Sequence, residues 1–390
     1  MASETESRFS TDSARETLTG YASRTELAVV GIALVALLAR FVELGTRIAH
    51  QDEARVAYWA YRYMETGVYE YRPIVHGPFL TIVDGNLFGV FGANDFTMRM
   101  VVALLGGLLP LSALLFRERL RDSETVAVAL FLAFNPILLY YSRFYRNDLL
   151  LAGFMLAAFG FYVRAYDHRR PAFLYAGTAI FALAFTTKEN ALVYPVCWLG
   201  AAVLLWDHRL FAERAGDRGL LVAVWERVKR TGRGVLDWGH HFALAVVEFL
   251  AIVVFFYAPR KPHMIADDPN PTVDNGMPGL YEALGDPTLL PAVVEHATLG
   301  SWNDFMYQWG GGNEESYLGA AKSLWPVVES GAIVLVALAI LGFVVTDTRT
   351  TARGTWWRLP PTGGSPARSA IPSSWTTRSR GRSSTSSSRS

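Results

Sequence analysis

Long apolar segments dominate this 390-residue chain and constrain its fold more than any other feature. A membrane-spanning helix needs about 20 mostly apolar residues, and eight segments are candidates. They cover residues 27–44, 100–116, 125–141, 149–165, 173–187, 190–206, 242–258 and 327–346. Only 18% of the residues are charged, against about 25% in soluble domains. The sequence therefore predicts an all-α polytopic membrane protein built as a bundle of transmembrane helices.

The charges between these segments predict an orientation. The loop 207–241 carries seven basic residues, whereas the loop 259–326 carries nine acidic and three basic ones. Because basic loops stay on the cytoplasmic side, we expect a polar cytoplasmic tail over residues 1–26 and external loops over 45–99 and 259–326. We place the protein in the plasma membrane. A formal net charge of +1 offers no bulk attraction for nucleic acid, so we expect no such partner.

The C-terminal segment, residues 347–390, breaks this pattern. Its last 26 residues contain 11 serines and five arginines, and no acid follows Asp347. Two interpretations stay open: a disordered basic tail beside anionic lipid, or an out-of-frame translation of a GC-rich gene. We favour the frameshift and assign the tail no function.

The first external loop begins with the stretch "HQDEARVAYWAYRYMETG", His50 to Gly67. The residues Val56, Trp59, Ala60, Tyr63 and Met64 fall on one helical face, which predicts an amphipathic helix lying in the outer membrane interface. Gly67 is a natural helix stop. The simple interpretation of Asp52 is a helix cap. His50 and Glu53 flank it, however, and ionisable groups at membrane depth are costly unless they are used, so Asp52 and Glu53 are candidate catalytic residues.

Three further motifs lie on the predicted external side. They are "YRPIVHGPF" with His76, "YYSRFYRNDLLL" with Arg143, Arg146 and Asp148, and "FTTKENALVYP" with Lys188 and Glu189. Each motif also has a plain interpretation when it is taken alone. The first would be an interfacial turn, the second a solvated Arg–Asp pair, and the third helix capping and snorkelling. Together they supply carboxylates, arginine, lysine and histidine on one membrane face. Those groups suit an enzyme that handles a lipid phosphate at the bilayer surface.

The order of these motifs resembles the GT-C membrane glycosyltransferases. A first helix is followed by "DE", "HGPF", "SRFYRND" and "TKEN", as in the family-39-like branch of protein O-mannosyltransferases and the lipid A aminoarabinose transferase. Within that branch the chain resembles an archaeal subset linked to N-glycan assembly and described as flippase-associated. The resemblance covers residues 27–346 and implies a GT-C-like helix bundle with a large first external loop carrying interfacial helices.

The resemblance also implies a polyprenyl- or dolichyl-phosphate-linked sugar as donor and an external active site. The acceptor is then a protein, a glycan or a lipid. Asp52 matches the acid that acts as general base, Asp148 matches an acid after the third span, and Lys188 and Glu189 match a polar pair. We add Arg146, Arg143 and His76 from topology and charge, the two arginines and Lys188 as phosphate ligands. The supporting residues of the site are His76, Asp148, Glu189 and His50.

Cofactors and rival functions stay open at this level. Asp52, Glu53, Asp148 and Glu189 offer oxygen ligands suited to Mg²⁺ or Mn²⁺, although no spacing is diagnostic. The strongest rival function is a flippase for lipid-linked oligosaccharides or a non-catalytic accessory subunit, which needs the cations but no base. A secondary transporter and an inactive remnant are two further rivals.

Overall fold

Every regular element in the described part of the chain is a helix. The structure, a computed structural model, describes residues 23–69, 71–73, 76–202, 236–261 and 278–309, with isolated positions between 225 and 234 and between 319 and 341. No strand occurs in these ranges, which confirms the predicted all-α class. The predicted tail 347–390 lies outside the described residues, as do most of 1–26, 207–235 and 327–346.

The helices follow one another with short connections. Their bounds are α1 Arg24–Phe41, α2 Gln51–Thr66, α3 Phe79–Phe91, α4 Asp95–Leu108, α5 Asp122–Phe134, α6 Pro136–Tyr141, α7 Asp148–His168, α8 Pro171–Thr187, α9 193–202, α10 Gly239–Tyr257, α11 Leu280–Gly285, α12 Leu290–Glu295 and α13 Ser301–Trp309. Short 3₁₀ segments cover Leu109–Phe116, Glu189–Leu192 and Pro287–Leu289, and a π turn covers His296–Gly300. These elements belong to one unit of the chain, Met1–Glu315.

The helix lengths and compositions are those of a membrane protein. Asp95–Phe116, Asp148–His168 and Gly239–Tyr257 are long and apolar enough to cross a bilayer, and Phe79–Phe91 and Pro171–Thr187 are shorter apolar helices. The α3 helix was not predicted as a separate element. It lies within residues 45–99, which are predicted to form the first external loop, and it packs closely against α2.

The third predicted span, 125–141, is divided at Pro136. Proline lacks the N–H that would bond the Leu132 carbonyl, and the Asn135 side chain accepts the N–H groups of Ile137 and Leu138 to start α6. Fully buried Arg40 of α1 donates to the Leu132 and Ala133 carbonyls, at 3.4 and 3.0 Å. An arginine from a neighbouring helix thus satisfies the backbone groups that the break leaves unbonded.

The predicted amphipathic helix is confirmed as α2. Gly67 ends it in the left-handed conformation, with φ of 68°, where glycine has no Cβ penalty. The face predicted to lie against the membrane interface instead packs within the protein. Val56, Ala60 and Tyr63 are buried and Trp59 and Met64 half-buried, and Val56 and Ala60 join a core with Leu80 of α3. The face left exposed carries Tyr58 and Tyr61.

Two groups of helices carry the segments that are predicted to be external. α8 packs against α7 and α10, while α1 packs against α4 and α5. The Leu109–Phe116 segment contacts both α5 and α7 and so links the groups. A second core joins Tyr71 and the α10 residues Val253 and Tyr257 to Val293 and Ala297 of the following segment. This packing brings residues 71–73, 76–79, 187–189 and 290–305 to one end of the bundle.

Candidate functional site

The start of α2 uses the "HQDE" residues in different ways. His50 is the N-cap: its Nδ1 accepts the Asp52 N–H at 3.2 Å, and the Glu53 carboxylate accepts the His50 N–H at 2.9 Å. The cap is therefore formed by the neighbours of Asp52. The Asp52 carboxylate instead faces Arg146, with Oδ2 3.0 Å from Nη1. It also lies 3.8 Å from the exposed His50 ring. Capping does not account for the Asp52 carboxylate.

Glu53 is fully buried in a cluster with Arg47, Arg99 and Tyr145, called here the Glu53 cluster. Arg99 donates Nε and Nη2 to its two oxygens at 2.9 and 3.1 Å, Arg47 donates at 2.8 Å, and the Tyr145 N–H donates at 2.8 Å. Burial alone would raise the pKa of Glu53, but the hydrogen bonds from Arg99, His50 and Tyr145 outweigh it and lower that pKa. An ionised Glu53 thus ties α2 to α4 and to the Arg47 and Tyr145 loops.

Four charged side chains form an alternating series, called here the ion-pair chain. Asp52 pairs with Arg146, whose Nε lies 3.6 Å from Asp148 Oδ2, and Lys188 Nζ lies 2.9 Å from Asp148 Oδ1. The two carboxylate side chains are each more than 40% exposed. Residues from three predicted motifs, far apart in sequence, therefore meet in one solvent-accessible row.

The "HGP" turn docks against the C-terminal end of α8. The Gly77 N–H donates to the Thr187 carbonyl at 3.1 Å, and a Cβ on Gly77 would lie 2.1 Å from the Thr186 carbonyl oxygen. Only glycine permits this approach. His76, held at a φ of 70°, is thereby placed with Nδ1 3.9 Å from Glu189 Oε2. Burial, together with the charges of Lys188 and Arg146, lowers the pKa of His76 to about 4, so its ring is neutral at pH 7.

Glu189 follows Lys188 but its side chain goes to a different set of partners. Its Oε1 accepts the Tyr71 hydroxyl at 2.5 Å, and the Tyr257 hydroxyl lies 3.5 Å from the same oxygen. Its Oε2 is buried and makes no hydrogen bond among the described residues. Burial raises the pKa of Glu189. The predicted supporting acid is thus a buried carboxylate, with one oxygen bonded to Tyr71 and the other enclosed 3.9 Å from His76 Nδ1.

Arg143 is placed differently from the other predicted cations. Its guanidinium donates to the Val42 and Glu43 carbonyls at 2.7 and 3.2 Å, just after the end of α1. The pairing stabilises a helix end, as arginine commonly does at such positions. The phosphate-binding role assigned to Arg143 stays a prediction.

Sequence reasoning missed four residues of the site. Arg47 and Arg99 bind Glu53, and Tyr71 and Tyr257 bind Glu189. A signal existed for two of them. Arg99 is a charged residue at the edge of a predicted apolar span, where ionisable side chains are usually paired or functional. Tyr71 is the first residue of the "YRPIVHGPF" motif.

The four carboxylates predicted as metal ligands do not converge. Asp52 and Asp148 pair with cations, Glu53 is enclosed by arginines, and Glu189 binds Tyr71. Across the described ranges, no three histidine, cysteine, aspartate or glutamate side chains are grouped to hold a metal ion. These four residues, as placed, do not fit a carboxylate metal centre.

An apolar groove begins next to the ion-pair chain. It has a volume of 360 Å³, and α7 lines it with Leu149, Leu150, Gly153, Phe154, Ala157 and Phe161, opposite α4, the Leu109–Phe116 segment and α8. The first two of these residues directly follow Asp148. At 1.5 Å per residue, this face of α7 extends roughly 18 Å from the charged row into the apolar part of the bundle.

Comparisons with known proteins give partial matches. Residues 75–225 match the family model described as dolichyl-phosphate-mannose-protein mannosyltransferase. One similar solved structure is ArnT from Cupriavidus metallidurans bound to undecaprenyl phosphate, at 21% identity and a TM-score of 0.42. The alignment covers 72% of this chain and 44% of that one, so the chain spans less than half of that protein's length. No curated protein sequence matches the chain.

The family match begins just before His76 and contains Arg146, Asp148, Lys188 and Glu189, whereas Asp52 and Glu53 precede it. The archaeal, flippase-associated subset stays a prediction. Over residues 75–225 the chain is thus similar to the dolichyl-phosphate-mannose-protein mannosyltransferase family.

Proposed function

We propose that the protein is an integral-membrane glycosyltransferase. It moves a sugar from a polyprenyl- or dolichyl-phosphate donor to a protein, glycan or lipid acceptor on the external face of the plasma membrane. The ion-pair chain carries this proposal: an exposed acid and two cations share one row, and an apolar groove begins beside them. The mannosyltransferase family match over residues 75–225 supports the same activity.

The cations of the row suit the donor's phosphate. Arg146 and Lys188 are balanced by Asp52 and Asp148 in the absence of substrate. An entering phosphate competes with these carboxylates for both cations, since hydrogen bonds between ionised partners are the strong ones. Its isoprenoid tail then lies along the apolar face of α7. Engagement of Arg146 by the phosphate releases Asp52 from its ion pair.

Transfer proceeds by a single displacement. The acceptor's hydroxyl or amine loses a proton to the Asp52 carboxylate while its oxygen or nitrogen bonds to the anomeric carbon. The bond from that carbon to the phosphate oxygen breaks, and its electron pair leaves with the lipid phosphate. Lys188 and Arg146 stabilise the negative charge that develops there. One displacement inverts the anomeric centre.

Glu53 is a positioning residue in this scheme. Its oxygens are occupied by Arg99, Arg47 and two backbone N–H groups. One of these belongs to Tyr145, the neighbour of Arg146. Glu53 therefore holds the start of α2 and the Arg146 loop in register, which sets the distance between Asp52 and its partner.

The test uses a deletion strain complemented at matched membrane levels. We expect wild type to restore a sugar missing from surface glycoproteins or glycolipids, measured by glycan mass analysis. Asp52→Asn removes the base, and base catalysis contributes about 10²–10⁴-fold, so this variant should not restore the sugar. Glu65→Gln, an exposed acid at the other end of α2, is the matched control and should behave as wild type. Equal restoration by Asp52→Asn would favour the flippase or accessory role instead.

A further inference from the structure

A second groove, which the scheme above does not use, lies between α7, α8 and α10. It has a volume of 850 Å³ and is found at the opposite end of α7 from the ion-pair chain. From Asp148 to His168, α7 is roughly 30 Å long, about the thickness of the hydrocarbon core of a bilayer. The groove therefore belongs to the membrane leaflet opposite to the ion-pair chain. Its wall is mostly aromatic and apolar and includes Tyr162, Phe181, Trp238, Phe242, Val246 and Phe249.

The second groove opens to the surface of the bundle, where the lipid lies. Of its wall residues, Tyr166, Phe242 and Val246 are 60%, 41% and 58% exposed. Along α10 the wall extends from Trp238 to Phe249, which at 1.5 Å per residue is roughly 16 Å. One leaflet of the hydrocarbon core is about 15 Å deep. The groove thus has the length of one lipid chain standing in that leaflet.

The mouth of the second groove carries a cation. Arg169 is the C-cap of α7 and lines the groove, and its guanidinium carbon lies 5.1 Å from the centre of the Tyr166 ring. This cation–π contact holds the charge at the mouth. Trp238 lies at the same end of the wall, and tryptophan and tyrosine rings are enriched where a membrane meets water. The charge of Arg169 is therefore placed at the depth of lipid headgroups.

The charge of Arg169 is not neutralised by an acid in the described part of the chain. The acids at this end of α7 have other partners, since Asp167 pairs with Arg119 and Glu118 pairs with His168. Arg169 forms no ion pair with any residue that the structure describes. Basic pockets between transmembrane helices are typical binding sites for anionic lipid headgroups. The second groove combines such a charge with an apolar wall.

We propose that the second groove binds one anionic phospholipid of the leaflet opposite to the ion-pair chain. The lipid's phosphodiester accepts hydrogen bonds from Arg169, and an apolar chain lies along the wall towards Phe181 and Phe249. A phosphodiester carries one negative charge, which matches the one arginine among the described lining residues, whereas a phosphate monoester carries about two. The loop charges predict that this leaflet is the cytoplasmic one. The proposal does not depend on sugar transfer.

The experiment titrates lipids onto the delipidated full chain in detergent and counts bound lipids by native mass spectrometry. The probes are phosphatidylglycerol, phosphatidylcholine and undecaprenyl phosphate. Arg169→Gln removes the phosphate ligand, and its control is Arg170→Gln, an exposed neighbour that does not line the groove. Val246→Trp fills the groove, and its control is Val247→Trp, 61% exposed on the same helix and outside the groove. A thermal melt of each variant checks its fold.

We expect wild type to bind one phosphatidylglycerol about tenfold or more tightly than phosphatidylcholine, because a hydrogen bond to a charged group has an effect of that size. Arg169→Gln should abolish this preference. Val246→Trp should weaken the binding of both phospholipids, because its indole occupies the space of the apolar chain. The two control variants should bind both phospholipids as wild type does.

Three results would overturn the proposal. Equal affinities of wild type for the two phospholipids, or an unchanged preference in Arg169→Gln, would mean that the groove holds only non-specific annular lipid. An Arg169-dependent affinity for undecaprenyl phosphate alone would make the occupant a lipid monophosphate. If wild type bound no lipid and Val246→Trp melted earlier than Val247→Trp, a segment of this chain would fill the groove instead.

Discussion

The ion-pair chain and the Glu53 cluster are supplied by adjacent residues and have opposite surroundings. The Asp52 side chain is 43% exposed and makes one close ion pair, whereas that of Glu53 is fully buried and accepts from two arginines and two backbone N–H groups. Exposed ion pairs contribute only about 0–1 kcal/mol, so they can exchange partners at little cost. The comparison separates a carboxylate free to act on a substrate from one that maintains the structure.

The largest effect on stability should come from breaking the Glu53 cluster. Glu53→Ala leaves the buried Arg99 guanidinium without its bidentate partner. Removing one partner of a buried ion pair costs about 3–5 kcal/mol. We expect a large fall in the melting temperature in detergent, with activity lost because the fold is lost.

Asp52→Asn is the natural control for this measurement. It should melt within a few degrees of wild type and lose only transfer. If Glu53→Ala melted like wild type and retained full activity, the structural role of Glu53 would be wrong.

The next effect should appear as a dependence of stability on pH. The folded protein lowers the pKa of His76 from 6.5 to about 4. Between these values the unfolded chain binds a proton that the folded protein does not. As the pH falls from about 6.5 to 4, wild type should therefore lose about 3 kcal/mol of unfolding free energy from this group, and no more below pH 4.

The variant His76→Asn isolates the contribution of His76 to the pH dependence of stability, because asparagine does not titrate and tolerates a positive φ. Unfolding measured from pH 7 to pH 4 should show a flatter pH profile for the variant. Parallel profiles for the two proteins would contradict the burial of a neutral His76 beside Lys188 and Arg146.

The smallest effect should come from the turn that positions His76. Gly77→Ala places a methyl group against the Thr186 carbonyl, and overpacking of this kind costs about 1–3 kcal/mol. Because the turn must move away from α8, we expect transfer activity to fall together with stability. Gly31→Ala in α1, where a Cβ meets no atom within 4 Å, should be neutral or slightly stabilising. Equal behaviour of the two variants would show that the Gly77 contact is unimportant.

From the sequence it was possible to predict the helical class and that the charged motifs lie close together. The partners of individual side chains were predicted less well. Apolar segments and loop charges place the "DE", "SRFYRND" and "TKEN" motifs at one end of a bundle, and the structure joins Asp52, Arg146, Asp148 and Lys188 there. Sequence spacing could not separate Arg143 from Arg146. These two arginines are three residues apart, yet Arg143 donates to a backbone carbonyl at the end of α1, whereas Arg146 belongs to the ion-pair chain.

What the sequence determined by itself was the all-helical class, most of the long apolar helices and the charged residues gathered at one end of them. These follow from local apolar content and from charge, which each segment carries wherever it packs. Only the tertiary structure decided that Glu53 is enclosed while Asp52 is open, and that Glu189 is buried. Those outcomes depend on Arg99, 46 residues from Glu53, and on Tyr71, 118 residues from Glu189. Side-chain partners at such separations are set by how helices pack, and no local pattern in the chain records them.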